Sequence, residues 1–317
     1  MSDIDHEDVD GGMDMFAEPD DFRPKTPPPQ VIVVPYDFTG QGSTMTLLPA
    51  SDDQGKDGDH LRIHLLGSHP LWGHHLWNAC LDISRYLQQH AGTLLKGKSV
   101  LELGAAAGVP SIVCAREGAA VVVATDYPDE PLLDVLRANV SENLRGDHGG
   151  RIVAEGYLWG SDTSQIKTYL PSGSTGFDVL LLSDLIFNHQ AHPALLATMS
   201  TCLAQERASP SVDCSHPSQQ AAQLYEHDES QPGFPNDLLV GNFTESPPSG
   251  PCVLVFFTHH RPHLAAKDID FFVKAAEQGW QVERVGRWTR EPMFPDDPGS
   301  AIVRGTVHGF RLYRRET

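Results

Sequence analysis

One stretch, Lys98 to Asp126, constrains the fold more than any other: KSVLELGAAAGVPSIVCAREGAAVVVATD. Ser99 to Leu103 is a short, mostly apolar run between Gly97 and Gly104, the pattern of a strand buried in a parallel sheet. Gly104 to Gly108 carries only small side chains, which lets a ligand approach the backbone closely. Pro110 suits the first turn of a helix that carries Ile112, Val113 and Cys114 and stops at Gly118. Ala119 to Ala124 reads as a second buried strand, with Asp126 just past its end. Strand, small-residue turn, helix, strand and carboxylate together make half of a doubly wound nucleotide-binding sheet. Such sheets bind ligands beyond the C-terminal ends of their strands, where helix N-termini and free loop amides collect. Asp126, 22 residues beyond Gly104, is placed there to accept hydrogen bonds from both hydroxyls of a ribose.

The glycine spacing selects the nucleoside. A dinucleotide fingerprint needs glycine at 104, 106 and 109, but Ala106 and Val109 occupy the last two positions. Glu102-Leu103-Gly104 followed by Gly108 instead resembles the first motif of S-adenosylmethionine-dependent methyltransferases of the seven-strand class. That motif usually has glycine where Ala106 stands, so the extra methyl bears on how the cofactor sits.

Charge narrows the partners. The net charge of -19 over 317 residues is unevenly spread. Residues 1–22 hold nine Asp/Glu and no Lys or Arg, and residues 205–250 hold seven acids against Arg207 alone. The remainder is close to balanced and has no basic stripe to displace counterions, so nucleic acid is not an expected partner. Five cysteines lack any C-x-x-C spacing, and Cys80, Cys114 and Cys252 sit in apolar runs as small core residues do. A reducing setting, cytoplasmic or nuclear, is therefore expected, with the cytoplasm the first choice. The acidic N-terminus does not read as a signal or transit peptide, and no apolar run approaches the roughly 20 residues of a membrane span.

Along the chain, residues 1–29 are acidic and then Pro-rich and are expected to be disordered. Val31–Pro35, Met45–Leu48 and Leu61–Leu66 read as short strands, the last half-exposed because Leu61, Ile63 and Leu65 alternate with Arg62 and His64. HPLWGHHLW (69–77) leads into a helix with Leu76, Ala79/Cys80, Ile83 and Leu87 on one face and Asp82, Arg85 and Gln89 elsewhere. Asp129 is placed to cap a helix whose apolar face is Leu132/Leu133, Leu136, Val140 and Leu144. Ile152–Ala154, Phe177–Leu182 and Cys252–Phe257 supply further strands, with helices marked by Leu195, Met199 and Leu203 and by Ile269, Phe272/Val273 and Ala276. Residues 205–250 hold six Pro and seven Ser with no period and read as a disordered insertion. Trp280–Trp288 and Thr306–Tyr313 alternate on either side of a Pro-rich loop and fit an antiparallel pair. The sum is an α/β sheet with one domain over 30–317.

Six motifs in register, HPLWGHHLWNA, LELGAAAGVPS, TDYPD, GYLWG, LLLSDLIFNH and FFTHHRP, resemble a fungal family once described as nicotinamide N-methyltransferase-like. It lies within the seven-strand lysine methyltransferases that carry a D-x-x-Y/F signature, and its members methylate translation elongation factor 1-alpha at its N-terminus and a nearby lysine. The resemblance spans roughly residues 31–317 outside the insertion. It implies a Rossmann-like seven-strand sheet with helices on both faces and an antiparallel C-terminal strand pair. It implies S-adenosylmethionine as cofactor, with Trp77 beside it, Gly104, Ala105 and Ala106 facing its methionine end, Asp126 on the ribose, Trp159 near the adenine and Ser183 completing the pocket. It also implies a protein substrate, elongation factor 1-alpha; separately, a monomer with no membrane partner is expected, although the sequence does not itself give the oligomeric state. Trp77 alone fits a core aromatic equally well, whereas Gly160 after Trp159 favours a site.

Asp184-Leu185-Ile186-Phe187 matches D-x-x-F at the end of the Phe177–Leu182 strand. Methyl transfer from a sulfonium is an in-line displacement that needs a neutral amine and good alignment. Asp184 is expected to hold and orient the amine, with Phe187 walling the channel; the alternative is that Asp184 caps the following segment or holds a loop amide. Ser183, Asp184 and His189 do not form a hydrolase triad, since no G-x-S-x-G elbow accompanies them. His74-His75 and His259-His260 lack metal-ligand spacing, and strand neighbours point to opposite faces. His259, His260 and Arg261 lie at the ligand edge, where they fit either a substrate contact or a solvated loop. Two other functions compete: a small-molecule N-methyltransferase of the nicotinamide type, and a non-enzymatic interaction module.

Overall fold

A computed structural model of the chain describes residues 27–36, 46–48, 60–144, 151–205 and 250–314. The expected acidic tail (1–29) and insertion (205–250) lie outside the described residues, apart from 27–29, 205 and 250.

Two sheets are present among the described residues. The smaller has β1 (Gln30–Pro35), β2 (Thr46–Leu48) and β3 (His60–Leu65) in the order β2-β1-β3, both pairings antiparallel. The larger has β4 (Ser99–Leu103), β5 (Val121–Asp126), β6 (Arg151–Gly156), β7 (Val179–Ser183), β8 (Cys252–Thr258), β9 (Trp280–Thr289) and β10 (Thr306–Arg314). Its order is β6-β5-β4-β7-β8-β10-β9. The strands β6, β5, β4, β7 and β8 pair in parallel, and β10 is antiparallel to both β8 and β9. This is the expected seven-strand sheet with its antiparallel end.

The parallel strands are apolar on both faces because alternate residues feed two separate cores. Val100, Val122, Val179 and Leu254 pack on one side with helices α1 (Asn78–Gln89) and α3 (Val109–Arg116). Leu101, Val123, Leu180 and Val255 pack on the other with α6 (His192–Cys202) and the later helix Ala265–Glu277. Chain order reverses across β4, which pairs with β5 on one side and β7 on the other. The loops after β4 and β7 therefore diverge and leave a crevice between them.

Four local expectations change. Asp126 is the last residue of β5 rather than a residue beyond it. Arg62 is buried, not on an exposed face, and its Nε donates to Glu142 at 3.0 Å. The helix Glu130–Asn143 (α4) covers the free edge of β3: Asn143 bonds both Arg62 N–H and C=O, and Asn139 bonds those of His64. Two amides one turn apart thus stand in for a neighbouring strand. Asp129 precedes α4 without a side-chain cap bond; its Oδ1 lies 3.3 Å from His69 Nε2 instead.

Asp82 is also buried, against the expectation that it sits off the packed face. Arg290 pairs with it through two hydrogen bonds of 2.7 and 2.6 Å, and Asn78 Nδ2 donates to Glu291 C=O at 2.8 Å. Arg304, in the short helix Ala301–Gly305, donates to the carbonyls of Phe294 and Pro295. The Pro-rich loop between β9 and β10 is thereby held against the start of α1.

Candidate active site

The site grows from the loop after β4. Gly104, Ala106 and Gly108 have φ of +62°, +46° and +76°, so the chain reverses sharply there. Glu102 fixes the far end of the turn: its Oε2 accepts from Ser111 N (3.0 Å) and Oγ (2.5 Å), capping the first turn of α3. Burial pushes the Glu102 carboxyl up to about 8, against the two Ser111 hydrogen bonds that favour the anion. A Cβ on Gly104 would come within 2.6 Å of Leu185 Cδ2 and 3.2 Å of Trp159 Cζ2. Only glycine lets the loop lie this close to both.

Asp126 latches the turn from β5. Its Oδ2 accepts from Ala106 N at 2.6 Å and its Oδ1 from Tyr127 N at 2.7 Å. Burial raises its pKa while the two amides work in the opposite direction. Each carboxylate oxygen retains a lone pair for a further donor, as two adjacent hydroxyls require.

Between the loops lies a cavity of about 470 Å³. Trp77, Gly104, Ala106, Asp126, Trp159, Ser183, Asp184 and Phe187 all line it, so the structure brings together every expected site residue except Ala105. The Ala105 side chain packs with Ala124 and Leu136, and its N–H donates to Thr125 C=O at 2.9 Å. A second cavity of about 200 Å³ adjoins the first and shares Trp72, Trp77 and Phe187 with it.

Asp184 directly follows β7 and lines the large cavity, next to His260 of the smaller one. Its φ is +57°, a rare conformation for a residue with a Cβ. Asp184 N donates to Phe256 C=O at 2.7 Å, and Asp184 Oδ1 accepts from Thr258 N at 3.1 Å. These bonds to β8 hold the carboxylate in place; it does not cap the segment that follows. His260 Nε2 lies 3.1 Å from Asp184 Oδ2, without the alignment of a hydrogen bond. Burial pushes the His260 imidazole down, but Asp184 and, more weakly, Asp268 outweigh it, and its pKa is raised above 6.5.

His259 and His260 point to opposite sides, as expected of neighbours leaving a strand. His259 Nδ1 is 2.6 Å from Asp268 Oδ2 in the core, and His189 Nε2 is 2.7 Å from Asp268 Oδ1. His189 therefore belongs with Asp268 and not with Ser183.

Sequence reasoning missed Trp72, Leu185 and Phe294. Trp72 lay in a motif noted for its Trp and His but was given no role. Its ring and that of Trp77 each stand 6.0 Å from Phe294, at 70° and 68°. Phe294 comes from the Pro-rich loop, and nothing in the sequence marks it.

Comparison with known proteins fits this geometry. The model of the lysine methyltransferase family matches residues 55–224. The protein N-terminal and lysine N-methyltransferase EFM7 of Cryptococcus neoformans var. neoformans serotype D is 43% identical over 256 residues, 80% of this chain and 76% of that protein. Its namesake in Schizosaccharomyces pombe is 36% identical over 98% of both chains, and that of Eremothecium gossypii is also 36% identical over 98% of both. This chain belongs to the lysine methyltransferase family, enzymes that take their methyl group from S-adenosylmethionine.

Proposed function

We propose that this protein methylates a protein amine, the N-terminal amine and/or a nearby lysine of translation elongation factor 1-alpha. One observation carries the reading: a large cavity walled by the β4 loop and by the buried carboxylate of Asp184 adjoins a smaller aromatic one, whose His260 lies 3.1 Å from that carboxylate. The large cavity fits the cofactor. Asp126 would take the ribose hydroxyls, Trp159 and Leu158 would flank the adenine, and Gly104 and Ala106 would face the methionine end. Ser183 Oγ is buried with no protein partner, which leaves a hydrogen-bonding group to spare in the same wall. When bound, S-adenosylmethionine supplies a methyl group on a positively charged sulfur.

This chain's residues then have two tasks. Asp184 holds the amine in line, and Trp72, Trp77 and Phe187 keep water from the approach. A protein substrate is favoured over a small one by the rim. Leu71, Trp72, Tyr127, Leu158 and Phe187 all line the large cavity, yet each is at least 41% exposed. An exposed apolar rim of this kind around the cofactor cavity suits a partner surface that covers it. Several curated relatives bear the name protein N-terminal and lysine N-methyltransferase. The protein, incubated with radiolabelled methyl donor and cell extract, is expected to label a band at the size of the elongation factor. Label confined to small molecules such as nicotinamide would overturn the reading.

A further inference from the structure

At the junction of the cavities one group has no task yet. Asp184 Oδ2 and His260 Nε2 are both buried and face each other at 3.1 Å as an ion pair short of good hydrogen-bond alignment, and no other protein group bonds either atom. The other Asp184 oxygen is committed to Thr258 N–H. When His260 is neutral with Nε2 unprotonated, this nitrogen and the carboxylate oxygen are two acceptors side by side, and an ammonium carries the donors to satisfy both. The surroundings suit a cation as well. The His260 ring lies 5.0 Å from Trp77 and 6.5 Å from Phe294, and aromatic faces attract positive charge. Asp297 lines the smaller cavity with them.

Resting on the methyltransferase reading, we propose that the smaller cavity is the port by which the target amine arrives as an ammonium, and that His260 Nε2 accepts the proton it must lose while Asp184 holds it. In this step an N–H bond of R–NH3⁺ breaks and an N–H bond forms at Nε2. The charge passes from ammonium to imidazolium, and the amine keeps the electron pair that attacks the methyl carbon. The imidazolium then returns its proton to solvent through the smaller cavity, where the His260 side chain is 13% exposed. The charged and titratable groups around His260 are Asp184 at the end of β7, Asp268 on the helix Ala265–Glu277, its neighbour Arg261, and His189 and Asp297 across the cavity.

The test compares His260→Gln and His260→Ala with the wild type in the full chain, using S-adenosylmethionine and purified, unmodified elongation factor 1-alpha. The Gln amide oxygen can still accept a hydrogen bond but cannot take up a proton. His260→Gln should keep KM and lose roughly 10²-fold in kcat, the usual cost of losing a positioned proton acceptor. Wild-type activity should fall on acidification with an inflection above the ordinary histidine value of 6.5, and this limb should be missing in both variants. Cofactor affinity and melting temperature should stay as in wild type for His260→Gln, so misfolding of His260→Ala would not remove the test. A Gln variant with the wild-type rate and acidic limb would overturn the proposal, as would one whose loss of rate is matched by lost cofactor affinity. A wild type that methylates no protein amine would instead refute the parent reading, before any variant is compared.

Discussion

The two sides of the active site are built in opposite ways. On the cofactor side the turn comes from one continuous stretch, in which Ser111 bonds Glu102 and Ala106 bonds Asp126 within fewer than thirty residues, and Leu158, Trp159 and Ser183 complete the wall from farther along. The amine side draws Trp72 and Trp77 from before α1, Asp184 and Phe187 from the end of β7, His260 from the end of β8 and Phe294 from beyond β9. Its parts are held by distant pairs such as Asp82 with Arg290. The first kind of site is a local folding unit and carries a recognisable spacing. The second exists only once the sheet has formed, which lets loops vary the substrate while the cofactor pocket stays put.

That contrast should show in mutants. Asp184→Asn, on the amine side, keeps size and most hydrogen bonding but removes charge. Turnover should fall by at least ~10²-fold with cofactor affinity nearly unchanged, read by single-turnover assay and calorimetry. Equal losses in both would erase the division between the two sides. Asp126→Ala, on the cofactor side, should weaken cofactor binding by about 1.5–3 kcal/mol, the range for hydrogen bonds to a charged group. Calorimetry showing unchanged affinity would sink the ribose assignment.

Glu102 sharpens the comparison from beneath the loop. The unfolded chain releases this proton near 4.5 and the folded chain near 8. The folded state thus binds more protons between those values, and stability falls as pH rises across that window. Glu102→Gln has no proton to lose, so its melting temperature relative to wild type should climb from the acidic end of the window to the alkaline end. A constant difference would show that the buried carboxyl does not titrate there. The smallest effect is expected at Ala106. At φ +46° its Cβ is strained, by roughly 1–2 kcal/mol for a left-handed residue, while glycine costs about 0.5–1 kcal/mol in backbone entropy. Ala106→Gly should therefore stabilise by under about 1 kcal/mol in urea unfolding, and a clear loss of stability would contradict the strain argument.

The same division governs what the sequence revealed. The parallel strands were legible because burial on both faces leaves continuous apolar runs, and the β4 loop because its small residues and Pro110 punctuate it. Trp77, Asp126, Trp159, Ser183, Asp184 and Phe187 were found through ordered motifs, and all of them line the large cavity. Ala105 was carried along with the motif, although a chain reversing at Gly104 turns that side chain away from the cavity. Asp82 and Arg62 were misplaced because polar residues are read as exposed until a partner is known, and each partner is about eighty or more residues away. Phe294 has no mark of its own in the sequence, since contacts such as Asp82–Arg290, Asn78–Glu291 and those of Arg304 bring its loop to the site.

The central claim is that a protein amine receives its methyl group where the two cavities meet. The most direct measurement is tandem mass spectrometry of the N-terminal peptide of purified elongation factor 1-alpha after incubation with the wild-type protein and S-adenosylmethionine. Added methyl groups are expected on the α-amine and/or a lysine close to it. An unmodified N-terminal peptide, from a protein shown to bind the cofactor, would contradict the claim.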